Sequence, residues 1–321
     1  MLTILILLAA VIVVGTQLDG STQSASSGKH NPVRGIVAAG VDGRLLTVLY
    51  DDRCLVHDLD SATSYGLWLG SSRDERIQVI AASPVENRVA LYHSDGYLDL
   101  VDAKTGEILW ERSIRREQAS CMKFSPDGET IAVGTGDGNL FVIDARSGDI
   151  RRHYQGDVPA NALCFTADGR QIVLPLPGDG LGFYDLATGT IEERMAASAR
   201  LVSHLTASPD GRTLAAGTLE GTLILWDLDT GRELARKMES YFPLTEVAFS
   251  PNGQSILSAS CDGRLRTTPL SGLTSGRTVH AHNEAISELE FSGDWLLSGG
   301  HDGNIRAWNI ETMTERPLEL P

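Results

Sequence analysis

The sequence predicts an all-β fold: seven four-stranded antiparallel units closed radially into a propeller. The main observation is one turn motif that recurs at a nearly fixed distance. It appears as Gly40-Val41-Asp42-Gly43, Ser83-Pro84-Val85-Glu86, Ser125-Pro126-Asp127-Gly128, Thr166-Ala167-Asp168-Gly169, Ser208-Pro209-Asp210-Gly211, Ser250-Pro251-Asn252-Gly253 and Ser292-Gly293-Asp294, with first positions 43, 42, 41, 42, 42 and 42 residues apart. Between the turns run short segments rich in Val, Ile, Leu, Thr and aromatic residues, such as Thr222 to Trp226 and Asn139 to Ile143. Such runs bounded by Asp-Gly pairs read as hairpin strands, because Asp and Gly tolerate the positive φ of tight turns. From Val33 onward no run places apolar residues at i, i+3, i+4 and i+7, so helix is excluded as a main element. A fixed period near 42 residues marks a stack of one unit that cannot bury its own faces alone, and radial closure protects the strand edges.

Each unit reads as four strands separated by three turns. After the first turn comes a second, in Asp95-Gly96, Asp137-Gly138, Asp179-Gly180, Glu220-Gly221, Asp262-Gly263 and Asp302-Gly303, with Asp52-Arg53 as the divergent first copy. An apolar-Asp pair follows, in Val101-Asp102, Ile143-Asp144, Tyr184-Asp185 and Trp226-Asp227, with His57-Asp58, Thr268-Pro269 and Trp308-Asn309 as variants. Thr105-Gly106, Ser147-Gly148, Thr188-Gly189 and Thr230-Gly231 close four of the units. Two units depart from the pattern. Pro175 and Pro177 fall where an interior strand of the fourth unit should run, which predicts a short strand there, since Pro lacks the ladder donor. The sixth unit replaces Trp-Asp by Thr268-Pro269 and continues into a longer connection, Gly272 to Gly276.

These markers resemble the WD repeat, and the resemblance covers nearly everything from Val33 to the C-terminus. Leu201 to Lys237 is the clearest copy. In the last unit His282, Ser298, Asp302 and Trp308 match, residue by residue, the hydrogen-bonded structural tetrad that ties a blade of that family together. The segment Val101 to Trp110 is instead similar to the repeat of quinoprotein-type propellers, in which Asp, Thr-Gly and a later Trp recur.

Residues 1–15 are an apolar run broken only by Thr3, and 16–32 are polar and Ser-rich, so 33–321 is left for the propeller. This arrangement predicts an export signal or short membrane anchor with a linker, although the run is shorter than the roughly 20 residues that span a bilayer. The alternative is a cytoplasmic chain whose Ala10 to Val14 supplies a closing strand to the last unit.

The net charge of −15 argues against nucleic acid as a partner, because non-specific binding relies on Lys and Arg neutralising phosphates. Two basic pairs, Arg115-Arg116 and Arg151-Arg152, read as solvated outer-strand charge. Cys54, Cys121, Cys164 and Cys261 lie in four different repeats with no CxxC pair, which gives no metal cluster or disulfide framework. They read as buried thiols, and a bridge between Cys121 and Cys164 of neighbouring repeats stays open. Among the eight histidines, His280 and His282 have no further ligands beside them, so no zinc site is expected. There is no G-x-S-x-G elbow, P-loop or dinucleotide fingerprint. No catalytic residue, metal or cofactor is therefore expected.

The resemblance implies a monomeric, non-catalytic scaffold that binds a protein or peptide through the loops on one face. On this sequence that face includes Arg53, Tyr92, His93, Leu219, Tyr241, Phe242 and His301. Tyr241-Phe242 is the strongest candidate, because exposed aromatic residues are enriched at binding hot spots. An envelope-assembly scaffold of quinoprotein-like type is the alternative reading. A propeller enzyme with a metal or cofactor in its central channel is a third, with no motif to carry it.

Overall fold

The computed structural model describes residues 32–316 apart from 40–44, 51–52, 59–62, 68–75, 115–117, 179, 197–200, 272–273, 275 and 293–294. The apolar run, most of the linker and Arg115-Arg116 lie outside the described residues. So do the signal, anchor and closing-strand expectations that rest on the N-terminal segment.

Among the described residues all regular structure is strand. The first sheet contains β1 (Val33–Ala39), β2 (Leu45–Tyr50), β3 (Arg53–Asp58) and β4 (Thr63–Leu67), and the second β5 (Ile77–Ala82), β6 (Arg88–His93), β7 (Tyr97–Asp102) and β8 (Ile108–Ser113). The third is β9 (Ala119–Phe124), β10 (Thr130–Thr135), β11 (Asn139–Asp144) and β12 (Ile150–Gln155), and the fourth β13 (Cys164–Phe165), β14 (Gln171–Leu176), β15 (Gly180–Asp185) and β16 (Ile191–Ala196). β17 (Val202–Ala207), β18 (Thr213–Thr218), β19 (Thr222–Asp227) and β20 (Glu233–Met238) form the fifth. β21 (Leu244–Phe249), β22 (Ser255–Ser260), β23 (Arg264–Pro269) and β24 (Thr278–His280) form the sixth, and β25 (Ile286–Ser292), β26 (Trp295–Gly300), β27 (Ile305–Asn309) and β28 (Glu315–Arg316) the last. Within each sheet the strands lie in chain order and pair antiparallel.

The expectation of a seven-bladed propeller needs correction, to six blades that the structure describes in full. Six sheets, β5 to β28, are described through their side chains, whereas in the first sheet only β1, Cys54 and Val56 are, and the rest is a backbone ladder. The strands are also unequal: β13 and β28 have two residues each and β24 three. Pro175 corrects a second expectation. β14 runs its full six residues, with Pro175 paired to Leu181, and the short strand is its neighbour β13. The β13 ladder stops at Val173, so no bond on that side is asked of the proline.

The turn chemistry explains the sequence markers. In Ser125-Pro-Asp-Gly128 the Ser125 hydroxyl donates to Asp127 at 2.5 Å and accepts from the Thr130 N–H at 3.0 Å, while Gly128 takes φ 72°. Ser208 with Asp210 and Ser250 with Asn252 repeat this arrangement. In the third turn Asp144 accepts from the N–H groups of Arg146 and Ser147 at 2.8 Å, and Gly148 closes at φ 74°. Side-chain acceptors that satisfy turn amides make Asp and Ser the residues of choice there.

Apolar residues pack between neighbouring sheets. Tyr92, Leu100, Met122 and Val133 join the second and third sheets, and Leu140, Leu163 and Tyr184 the third and fourth. Between the first and last sheets Val33 and Ile36 meet Leu297, Ile305 and Ala307. The fourth strands form the exposed outer edge, as the burial of β12 and β20 shows.

Candidate interaction face

The connection after β20 rests on the β18–β19 turn. Gly221 holds φ 80°, and its carbonyl oxygen accepts from the N–H groups of Glu239 and Ser240 at 2.9 and 3.1 Å. A Cβ at Gly221 would lie 2.0 Å from the Ser240 oxygen and 2.7 Å from that of Phe242, so this approach requires glycine. The Ser240 hydroxyl then accepts from the Phe242 N–H at 3.0 Å. The outcome is Tyr241 at 93% exposure and Phe242 at 50%. The same turn reaches the start of the fifth sheet, where the Leu219 N–H donates to the Leu201 oxygen at 3.0 Å. Leu201 is exposed and has φ 70° despite its side chain. Leu201, the half-buried Leu219, Tyr241 and Phe242 thus stand on segments tied by backbone bonds to one turn, and fixed exposed aromatics of this kind serve as contact anchors.

The other sequence-predicted face residues do not join it. Tyr92 is fully buried in the core between the second and third sheets. His93 is buried too, with Nε2 3.1 Å from Asp99 Oδ2. Both sit at the end of β6, inside the ladder rather than in the turn that follows it, so the loop was assigned too early in the sequence. Arg53 opens β3 opposite Tyr50, and its side chain lies outside the described residues. His301 is half-buried beside the last sheet's second turn, and burial lowers its pKa.

The tetrad is assembled. His282 Nδ1 lies 2.9 Å from Asp302 Oδ1, His282 Nε2 2.8 Å from Ser298 Oγ, and the Trp308 indole donates to the same Oγ at 2.9 Å. Gly300 allows the approach, since a Cβ there would come within 2.3 Å of His282 Nδ1. The clearest copy in sequence lacks this network: Ala216 stands at the register of Ser298, and the buried Trp226 indole N–H has no partner among the described residues.

Sequence reasoning missed two features. On the rim, Trp110 donates to Ala145 O at 2.9 Å, Arg112 to Ser147 O at 2.9 Å, Arg152 to Ala187 O at 3.3 Å and Arg277 to Thr312 O at 3.0 Å, each reaching 35 residues ahead into the next sheet. The constant offset was visible, but the long side chains on exposed outer strands read as solvated charge. Arg151 pairs with Asp144, so the basic pair of β12 is engaged within its own rim. In the channel, a polar cluster around Lys123, Glu246, Glu288 and Glu290 occupies the innermost strands. Nothing in the period singled out those four positions.

All four cysteines are free. Burial pushes the Cys54, Cys121 and Cys164 thiols up to about 12 and raises that of Cys261, which leaves no activated nucleophile among them. Among the described residues no group of three His, Cys, Asp or Glu could hold a metal ion, and no helix is long and apolar enough to cross a membrane.

Comparison with known proteins gives two families. The profile described as outer membrane protein assembly factor BamB matches residues 10–174, just over half of the chain. The profile described as WD domain, G-beta repeat, matches residues 192–227, 234–267 and 273–309. A chain in the crystal structure of a mitotic checkpoint complex superposes with a TM-score of 0.78 at 16% identity, covering 92% of this chain and 97% of its own, a likeness of fold. No curated protein sequence matches the chain.

Proposed function

This chain belongs to the WD-repeat β-propellers and, through residues 10–174, to the family described as outer membrane protein assembly factor BamB; on that premise we propose that it is a non-catalytic scaffold that docks a protein segment on its loop face. The observation that carries the reading is the Tyr241-Phe242 pair, exposed yet fixed by the Gly221 turn. An exposed aromatic costs solvation and is retained where it is buried by a partner. Two rigid rings on a preformed loop lose little conformational entropy on binding. Leu201 and Leu219 extend the apolar centre, and the tetrad of the last sheet holds its own loop at His301 in a fixed position. A photo-crosslinking residue at Tyr241 is expected to trap a discrete protein, while the same residue at Leu109 on the outer β8 traps none. Equal trapping at both positions would remove the loop face from the account.

The family match over the first half supports a second reading, a scaffold for envelope assembly. On this reading the apolar residues 1–15 deliver or tether the propeller to a membrane. Cell fractionation decides it: the full chain should co-fractionate with envelope membranes and resist salt extraction. Recovery only in the soluble fraction contradicts the second reading and leaves the docking reading standing.

A further inference from the structure

The sixth sheet has Thr268 where the fifth and the last have Trp226 and Trp308, and the connection leading into it carries Tyr241-Phe242. One set of side chains joins these two departures. Thr268 Oγ1 donates to Glu239 Oε1 at 2.6 Å and accepts from Lys237 Nζ at 3.1 Å, and Lys237 Nζ lies 3.0 Å from the same Glu239 oxygen. Thr268 is 2% exposed and the Glu239 side chain 5%. Lys237 stands on β20 and Glu239 directly after it, whereas Thr268 is on β23, so the contacts cross from the fifth sheet to the sixth.

The same positions are apolar at the neighbouring seams. Between the sixth and last sheets Gly263 O accepts from the N–H groups of Ala281 and His282 at 2.8 and 2.9 Å, as Gly221 O does from Glu239 and Ser240. Ala281 thus stands in the place of Glu239. Val279 faces Leu265 as Lys237 faces Leu223, and Trp308 faces Leu296 as Thr268 faces Ile256. Val279, Ala281 and Trp308 pack in one apolar cluster. Between the fourth and fifth sheets Met195 and Trp226 take the places of Lys237 and Thr268, again in one cluster. Exchanging apolar packing for a buried ion pair is often neutral for stability. A hydroxyl and an ammonium on one carboxylate oxygen do fix its direction. Glu239 also gives its N–H to the Gly221 turn two residues before Tyr241, so the direction of its side chain sets the path of the chain into the aromatic pair.

We propose that Lys237, Glu239 and Thr268 form a polar anchor that positions the Tyr241-Phe242 loop for its partner, with Thr268 as the positioning residue whose hydroxyl receives the Glu239 carboxylate across the seam. The consequence for binding rests on the docking reading above; the anchoring of the loop does not.

The test is hydrogen exchange and photo-crosslinking on the full chain with Thr268→Val, which keeps the shape and removes the hydroxyl. Exchange of the Glu239 and Ser240 amides should speed up about tenfold, the worth of one bond to a charged group, while Ala281 and His282, bonded alike at the apolar seam, keep their rates. Thr268→Ser, which keeps the hydroxyl, should restore slow exchange. Unchanged Glu239 and Ser240 amides in Thr268→Val overturn the anchor. Trapping of a protein by a crosslinking residue at Tyr241 should fall with Thr268→Val and return with Thr268→Ser. Trapping that persists while the two amides are loosened overturns the positioning role. If the wild type traps nothing, the docking reading fails, and exchange alone decides the anchor. Should Thr268→Val not fold, Lys237→Met, which copies Met195 of the preceding seam, is read by the same two measures.

Discussion

Trp110 of the second sheet donates its indole N–H to Ala145 O, 35 residues ahead in the third, and its ring packs close to Gly148. A Cβ at Gly148 would stand 2.9 Å from the ring, so the closing turn of one blade is shaped to receive the outer strand of the previous one. Trp110→Phe keeps the ring and loses the bond, and should cost about 1 kcal/mol in urea unfolding. Trp110→Ala also loses the packing and should cost about 2 to 3 kcal/mol. Equal costs for the two substitutions would show that the bond, and not the ring, holds the rim.

The two tryptophans at equivalent positions should behave differently. Trp308→Phe breaks the bond to Ser298 within the buried tetrad, whereas Trp226→Phe removes an indole N–H that has no partner among the described residues. The first should be the more destabilising by about 1 kcal/mol, because an unsatisfied buried donor contributes nothing to be lost. Denaturant midpoints of the two variants check this.

Burial depresses the pKa of His282, against the pull of Asp302 in the other direction. Asp302 is pushed up by burial, but bonds from His282 and from the N–H groups of Asn283 and Asn304 bring it below the usual carboxylate range. Both folded values lie below the unfolded ones. The stability tied to His282 is thus present above pH 6.5 and lost as pH falls below it, and that tied to Asp302 is lost at still lower pH. The stability gap between wild type and His282→Gln should narrow between pH 7.5 and pH 5.5, and a constant gap would contradict the assignment.

Gly221→Ala should displace the Ser240–Phe242 loop. It places a side chain at φ 80° and 2.0 Å from a backbone oxygen, and should cost about 2 kcal/mol or more. Partner binding should fall with it, although Tyr241 and Phe242 are unchanged. Full binding by a folded Gly221→Ala chain would show that the loop needs no such support.

In the native chain Cys54 and Cys164 should resist alkylation at pH 8, since burial both raises the thiols and blocks access, and the half-buried Cys121 should be slow because its thiol is raised as well. Mass mapping after a short iodoacetamide pulse should find label on Cys261 first.

The period and the turns were readable because Ser, Asp and Gly do their work locally, within five residues of their partners. The tetrad of the last unit, whose bonds span 10 to 20 residues, was readable only through its resemblance to the WD repeat. Tyr92 and His93 were misplaced because a β-strand edge and the loop beyond it share one composition, and burial decides which is which. The regular pattern also hid the inequality of the sheets, since β13 keeps its place in the period while pairing through only Cys164 and Phe165. Contacts made across sheets, at Trp110 or among Lys123, Glu246, Glu288 and Glu290, depend on closure of the ring and leave no mark at short range. Tyr241 and Phe242 stood out as two adjacent aromatic residues in a connection between strands.

The central claim is that the Tyr241-Phe242 loop binds a protein, and affinity capture with the full chain beside Tyr241→Ala/Phe242→Ala tests it most directly. Tyr241 is almost wholly exposed, so the variant should stay folded with a denaturant midpoint close to wild type. The account predicts a discrete set of partners recovered with the wild type and lost with the variant. The same partners recovered in equal amount with both chains would contradict it.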